Sequence, residues 1–315
     1  MEPVTAADVD AARARICGHV RRTPVLAIDA ADLGLADGPS VQAKLDVLQP
    51  TGSFKVRGAA SLLTSWDVSD AGVVAASGGN FGLAIAWAAR RLGHRATIVV
   101  PATSPAEKID PIRALGAEVV VVDGYYAAAA QEARRRVAEG GALLAHAYDQ
   151  PPVVAGQGTA TLELLEDVTV DTVLVACGGG GLLAGAVAAA DGRVRIVAVE
   201  TTGTPTLHAA LDAGEPVDVE VSGVAASGLG AARIGEHAWA IRDRLATTVL
   251  VEDADVTGAQ ARLWRAVRVV AEPAGATALA ALTSGRYVPA ADERVGILVC
   301  GANTDPGSVL RPSAS

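Results

Sequence analysis

Thr172-Val173-Leu174-Val175-Ala176-Cys177-Gly178-Gly179-Gly180-Gly181-Leu182 is the most informative stretch of the chain. Its first five residues form an apolar run without polar alternation, the pattern of a strand buried on both faces. The run stops at four consecutive glycines, and a helical apolar segment over 182–190 follows at once. A tight turn needs one or two glycines, and each further one carries a conformational-entropy cost. Four point to backbone N–H groups wrapped around a ligand, most simply a phosphate at the start of a helix. A plain turn remains the alternative. The stretch is neither a GxGxxG nor a GK[ST] loop, so nucleotide-binding readings lose ground.

The same alternation runs outward in both directions. Strands are predicted over 41–47, 73–76, 96–100, 118–122, 143–146, 196–200, 248–251 and 295–300. Helices are predicted over 53–65, 80–92, 106–115, 127–139, 159–165, 254–270 and 275–282. Alternation of this kind predicts an α/β protein with parallel, doubly wound sheets. There are too many units for one ordinary sheet, so two α/β lobes are expected, with Tyr148-Asp149-Gln150-Pro151-Pro152 as a crossover between them. In such sheets ligands bind at the carboxyl ends of strands.

Composition narrows the function. With 315 residues the chain can hold two lobes, and 50% hydrophobic against 19% charged residues reads as globular. A formal charge of −9 and only 3% aromatics make a poor nucleic-acid binder. Arg134-Arg135-Arg136 sits beside Glu132 and Glu139 and reads as a solvated helix face. Cys17, Cys177 and Cys300 form no CxxC pair, which suits a reducing compartment. The N-terminus has no apolar signal core, and no apolar run reaches the roughly 18 residues of a membrane span. A cytoplasmic protein without membrane partners is expected. His19, His94, His146, His208 and His237 lack metal-ligand spacing.

Three more strand ends carry chemistry. In Gln49-Pro50-Thr51-Gly52-Ser53-Phe54-Lys55-Val56-Arg57-Gly58-Ala59 a strand gives way to a helix that Ser53 can cap. Lys55 then falls in the first helical turn, where the helix dipole lowers an amine's pKa, as a nucleophilic lysine requires. An ordinary surface lysine is the competing reading. Ser77-Gly78-Gly79-Asn80-Phe81-Gly82 opens a helix with a glycine turn that can hold a carboxylate or phosphate, or is simply a tight turn capped by Asn80. Cys300-Gly301-Ala302-Asn303 ends the last strand. Cys300 can face a ring nitrogen there, or serve only as a small buried hydrophobe.

TGSFKVRGA, SGGN-x-G, GGGGL, EPAGA (272–276) and CGAN follow one another in the order found in the pyridoxal-phosphate-dependent serine/threonine dehydratases, a family that includes serine racemase. The chain resembles that family over residues 20–305. The resemblance implies a tryptophan synthase β-like fold, with a large cofactor-binding domain over 1–69 and 146–315 and a small mobile domain over 70–145. It implies pyridoxal 5′-phosphate as cofactor, carried by Lys55 as a Schiff base. Phe54 would pack on the ring, Asn80 bond its hydroxyl, Gly178, Gly179, Gly180 and Gly181 hold the phosphate, and Cys300 face the pyridine nitrogen. Thr51, Ser77, Gly79 and Asn80 would bind the substrate carboxylate. The implied reaction is loss of water and ammonia from L-threonine or L-serine to give 2-oxobutyrate or pyruvate, an ammonia-lyase step of amino-acid catabolism. A homodimer is the implied assembly.

Departures from the family pattern sharpen the expectation. Racemases of the family carry a serine acid where this chain has Gly78, so elimination without racemisation is expected. A family metal site pairs a Glu with an Asp. Glu200 fits the first, but Thr204 and Thr206 offer no carboxylate, so no metal is expected. Phe81 replaces a frequent His on the substrate side, and 224–228 lacks an acid often found there. The chain ends at Ser315, short of the regulatory domain of biosynthetic threonine dehydratases, so isoleucine feedback is not expected. Glu272 can touch the cofactor side or equally be a structural acid at a helix end, and it stays outside the catalytic set. The competing readings are a hydroxyaspartate dehydratase, serine racemase, sulfhydrylase or threonine synthase on the same fold, a cofactor-free binding protein that retained it, and, last, a nucleotide-binding α/β protein.

Overall fold

Among the described residues, ten strands pair in an order that explains why distant motifs meet. The computed structural model describes residues 2–35 and 39–310. The strands are β1 (Val25–Ile28), β2 (Val41–Leu45), β3 (Val73–Ala76), β4 (Ala96–Pro101), β5 (Glu118–Val122), β6 (Leu143–Ala145), β7 (Thr172–Ala176), β8 (Arg195–Thr201), β9 (Thr247–Val251) and β10 (Val295–Val299). One sheet has six strands in the order β1-β2-β10-β7-β8-β9, the other four in the order β5-β4-β3-β6. Every pairing is parallel except β1 with β2. The fold is α/β with two parallel sheets.

β10 lies between β2 and β7, with Ile297 opposite both Ala43 and Leu174. The turns after β2, β10 and β7 therefore share one edge of the larger sheet. β3 lies between β4 and β6, so the turn at 77–80 has the turns after those two strands as its neighbours. All residues of β7 and β10 are buried, as continuous apolar runs covered by helices on both faces require.

Helix Lys55–Ser65 crosses helix Pro151–Asp167 closely, because a β-carbon at Gly156 would stand 2.5 Å from the Arg57 carbonyl oxygen. Helix Pro151–Asp167 crosses Gly181–Ala190 in the same way at Gly158 and Gly185. Several glycines thus serve helix packing, not ligand contact. Beneath Lys55–Ser65 lies a buried charge cluster. Arg57 pairs with Asp46 and Glu163 at 2.7 Å each, Lys44 pairs with Glu163 at 2.7 Å, and the Thr23 hydroxyl donates to Asp46 at 2.6 Å. Two cations and two anions balance there, which makes their burial tolerable.

Some expected boundaries move. The helix expected over 159–165 starts at Pro151, so the double proline is its first turn, where missing N–H groups cost nothing. The strand expected over 41–47 stops at Leu45, and Asp46–Leu48 forms a 3₁₀ turn that aims Asp46 at Arg57. Strand β1 and helix Thr206–Ala213 were not anticipated.

Candidate active site

The turns meet in an inner pocket. It is lined by Phe54, Lys55, Asn80, Tyr148, the four glycines and Cys300, with Gly228, Leu229 and Glu272 closing it. Its first wall is a clasp between the turn after β2 and the turn after β10. The Phe54 N–H donates to the Cys300 carbonyl at 2.9 Å, and the Ala302 N–H donates to the Gly52 carbonyl at 2.8 Å. Ser53 and Gly301 form an antiparallel bridge. This clasp is why Ser53 does not cap the helix: Phe54 holds the cap position, and the Ser53 hydroxyl is buried with no partner.

Lys55 is the first helical residue, and its Nζ donates to the Ala147 carbonyl at 2.9 Å. The ring centres of Phe54 and Phe81 stand 5.0 and 5.9 Å from that nitrogen. Burial lowers the Lys55 pKa to about 8, against a partial opposing pull from Glu272. Desolvation is thus the leading cause, where the sequence had suggested the helix dipole. Phe81 is itself buried and belongs to the apolar surroundings of Lys55.

The tetraglycine turn is built for contact through its amides. Its carbonyls are tied outward: Gly178 accepts from the Thr206 hydroxyl at 2.5 Å, Gly179 from the Gly235 N–H at 3.0 Å, and Gly180 from the Ala184 N–H at 2.8 Å. The turn leads into the N-terminus of helix Gly181–Ala190, whose first N–H groups have no helical acceptor. Side chains are excluded. A β-carbon at Gly178 would stand 2.6 Å from the Leu229 carbonyl oxygen, and one at Gly179 would stand 2.5 Å from the Tyr148 ring. Gly180 has φ +84°, a conformation natural to glycine. A phosphate fits such a cradle of amides.

Glu272 and Asn80 join the two sheets. The Asn80 Nδ2 donates to Glu272 Oε1 at 2.6 Å, and Asn303 Nδ2 donates to Asn80 Oδ1 and to the Thr51 carbonyl, both at 2.8 Å. Burial raises the Glu272 pKa to about 7, although the Asn80 bond and the charges of Lys108 and Lys55 pull it down. The Cys300 thiol is buried 3.5 Å from the Ala274 carbonyl, and burial pushes its pKa up, so it stays neutral. Asn80 is the first helical residue behind Gly79 and does not cap the helix.

A cleft of about 710 Å³ opens outward from this pocket, with Gly78, Gly79 and Asn80 on one side, Ser227, Glu272 and Asn303 on the other, and Lys108 on its wall. Gly79 and Asn80 therefore line the cleft together. Ser77 stands just behind, its hydroxyl accepting from the Gly79 N–H at 3.4 Å. Thr51 is buried in a neighbouring cleft beside Trp87 and Pro111, and reaches this one only through its carbonyl's bond from Asn303. Glu200 is spent elsewhere, accepting from the Leu207 and His208 N–H groups at 2.8 Å each and from Thr206. Tyr148, Leu229 and Ser227 were not named as site residues from the sequence. Tyr148 follows β6, and Ser227 and Leu229 lie in helix Ala226–Leu229, which packs closely against helix Pro273–Thr283 at Gly228 and Ala274.

Comparison with known proteins agrees with this construction. A family model described as "Pyridoxal-phosphate dependent enzyme" matches residues 16–301. A serine racemase of Oryza sativa subsp. indica is 34% identical over 307 residues, 94% of this chain and 90% of that protein. An L-threonine ammonia-lyase of Geobacter sulfurreducens is 36% identical over 275 residues, 85% of this chain and 68% of that one. The solved structure of maize serine racemase superposes with a TM-score of 0.91 at 31% identity, covering 99% of this chain and 97% of that one. Among the described residues, no helix is long and apolar enough to cross a membrane.

Proposed function

Since the chain belongs to the pyridoxal-phosphate-dependent enzymes, we propose that it is an ammonia-lyase that removes water and ammonia from L-threonine or L-serine. The observation that carries the reading is the meeting of a desolvated lysine amine with a turn that offers its amides in one pocket. Lys55 would hold the cofactor covalently and Gly178 to Gly181 would hold its phosphate. Asn80 would meet the ring hydroxyl, Phe54 the ring face and Cys300 the ring nitrogen. When bound, the cofactor supplies the electron sink that makes a substrate's α-proton acidic.

The protein's own groups do the rest. The Lys55 amine, when free, would take the α-proton, and a pKa of about 8 suits a base near neutral pH. Ser77, Gly79 and Asn80 bind the substrate carboxylate at the N-terminus of helix Asn80–Leu92. Thr51 assists through Asn303. The neutral Cys300 thiol gives the ring nitrogen no fixed charge. Facing that nitrogen, a neutral thiol would leave the bound cofactor a weaker electron sink, which would favour prompt loss of the β-hydroxyl. The departing hydroxyl needs a proton, and Glu272, with a pKa near 7 on the border of pocket and cleft, can hold one.

The racemase reading draws on the rice and maize relatives. Against it stands Gly78, which has no side chain. The body built on β3 to β6, residues 70–145, is the element we assign to closure over substrate, against a large cofactor-binding body of 1–69 and 146–315. A cytoplasmic homodimer is the assembly we propose, with Cys17, Cys177 and Cys300 as free thiols. The test is 2-oxo acid release from a panel of β-hydroxy amino acids of both hands. Release from L-threonine or L-serine is expected, and a panel without release from any member would refute the assignment.

A further inference from the structure

His146 takes no part in the reading above, yet the backbone after β6 is folded around its ring. The Asp149 N–H donates to His146 Nδ1 at 3.1 Å, and the Tyr148 N–H reaches the same nitrogen at 3.5 Å. The His146 N–H in turn donates to Gln150 Oε1 at 2.8 Å. A ring nitrogen that accepts carries no proton, so the imidazole is neutral and holds its proton on Nε2. The ring is half-buried and meets the Tyr148 ring edge-on, with centres 4.6 Å apart.

Each residue of this turn touches the cofactor site. The Ala147 carbonyl accepts from Lys55 Nζ at 2.9 Å and from Gln157 Nε2 at 3.2 Å, so it is the perch of the lysine amine. Tyr148 backs the tetraglycine turn: a β-carbon at Gly179 would stand 2.5 Å from its ring, and one at Gly181 2.8 Å from its Cα. The Asp149 carboxylate accepts the Glu236 and His237 N–H groups at 3.1 and 3.0 Å. That seats the segment whose Gly235 N–H donates to the Gly179 carbonyl at 3.0 Å. One imidazole thus orders the lysine's perch, the wall behind the glycine turn and the strut that ties a carbonyl of that turn outward.

We propose that the neutral imidazole of His146 is a positioning residue for the cofactor: by accepting at Nδ1 it folds the turn that holds the Lys55 amine and the tetraglycine amides in place around one ligand. It acts through the turn alone and touches neither cofactor nor substrate. The inference rests on the cofactor of the family and not on the substrate assigned above. An imidazolium has donors on both nitrogens and cannot accept, so acid should loosen the turn. The charged groups around the ring are Asp149 from its own turn, Lys55 from helix Lys55–Ser65 and Arg134 from helix Tyr126–Gly140. Burial, with Lys55 and Arg134, lowers the His146 pKa against the pull of Asp149, which keeps the ring neutral at neutral pH.

The test measures the dissociation constant of pyridoxal 5′-phosphate from the visible absorbance gained as the cofactor-free chain is titrated with it. Parent, His146→Asn and His146→Leu are compared. The Asn side-chain oxygen can accept in place of Nδ1 at any pH, and Leu accepts nothing. Near neutral pH the constant should rise at least about fivefold in His146→Leu, the worth of one hydrogen bond, and stay within about twofold of the parent in His146→Asn. The ratio of the parent's constant to that of His146→Asn should climb at least about twofold as the pH is lowered through the imidazole range, since Lys55, Glu272 and the cofactor phosphate titrate in both chains and cancel. A ratio flat with pH overturns the proposal, and so does His146→Leu binding as tightly as the parent or His146→Asn binding as weakly as His146→Leu. If His146→Leu does not fold, the parent and His146→Asn decide the matter by their pH profiles. No arm uses an amino-acid substrate, so a failure of the ammonia-lyase reading leaves all of them readable.

Discussion

Replacing Glu272 by Gln should make the stability of the cofactor-free chain depend differently on pH, by an amount the structure sets. The carboxyl is buried and accepts the Asn80 amide at 2.6 Å, a bond that the Gln carbonyl can also accept. Its pKa rises to about 7 from an ordinary 4.5, chiefly through burial. Below the lower value it is protonated folded and unfolded alike. Between the two values the unfolded chain ionises while the folded chain keeps its proton, so the folded state binds more protons and stability falls as pH rises. Above about 7 both states are ionised and the loss is constant. The gap from 4.5 to about 7 corresponds to about 3 kcal/mol. Gln has no proton to lose, so Glu272→Gln should gain about that much relative to the parent between about pH 4 and pH 8.5. Glu200, also raised by burial to about 7, is present in both chains and cancels. Urea unfolding across that range measures the difference directly. A difference between the two chains that stays flat with pH would refute the assignment of a buried, proton-holding Glu272.

Borohydride reduction of holoenzyme followed by peptide mapping should place the cofactor on Lys55 alone. Label on Lys44, locked to Glu163, or on Lys108, out in the cleft, would contradict the site. Gly179→Asp should weaken cofactor binding at least about tenfold beyond Gly179→Ala, because both disturb Tyr148 but only Asp sets a like charge beside the phosphate. Equal cofactor dissociation constants for the two variants would move the phosphate elsewhere. Arg57→Leu should destabilise the chain by about 3–5 kcal/mol by leaving Asp46 and Glu163 buried without their partner. A loss under about 1 kcal/mol in urea unfolding would show that Lys44 alone neutralises the cluster.

What could be read without coordinates was whatever the chain states locally. The run 172–182 announces strand, glycine turn and helix in eleven residues, and no tertiary contact is needed to see that four glycines are unusual. Lys55 was legible for the same reason, as a cation placed at a strand–helix junction. Position along the chain did not reveal the cause of its lowered pKa, because burial depends on Phe81, Ala147 and Cys300, each from a different strand end. Glycine content misled in part. Gly156, Gly158 and Gly185 lie inside helical stretches and let helix backbones touch, a role that composition does not separate from ligand contact. Ser53 reads as a helix cap until the antiparallel bridge to Gly301, almost 250 residues away, claims its backbone.

Residue 78 shows where inference from a motif stops. Read along the chain, a glycine there means that one face of the substrate meets no acid. Read in space, the same volume is filled from the next strand by Ser104, because β3 and β4 are parallel neighbours and their turns rise from one edge. Sheet order, and not chain order, decides which side chain occupies that place. Glu272 follows the same logic. It sits 192 residues from Asn80, yet the bond between them closes the pocket that contains Lys55. A carboxyl at the end of a helix became part of the site when helix Pro273–Thr283 was seated behind the turn after β10, through the Glu272 N–H bond to the Gly301 carbonyl at 2.9 Å. Its burial there, and not its identity as an acid, lets it hold a proton near neutral pH.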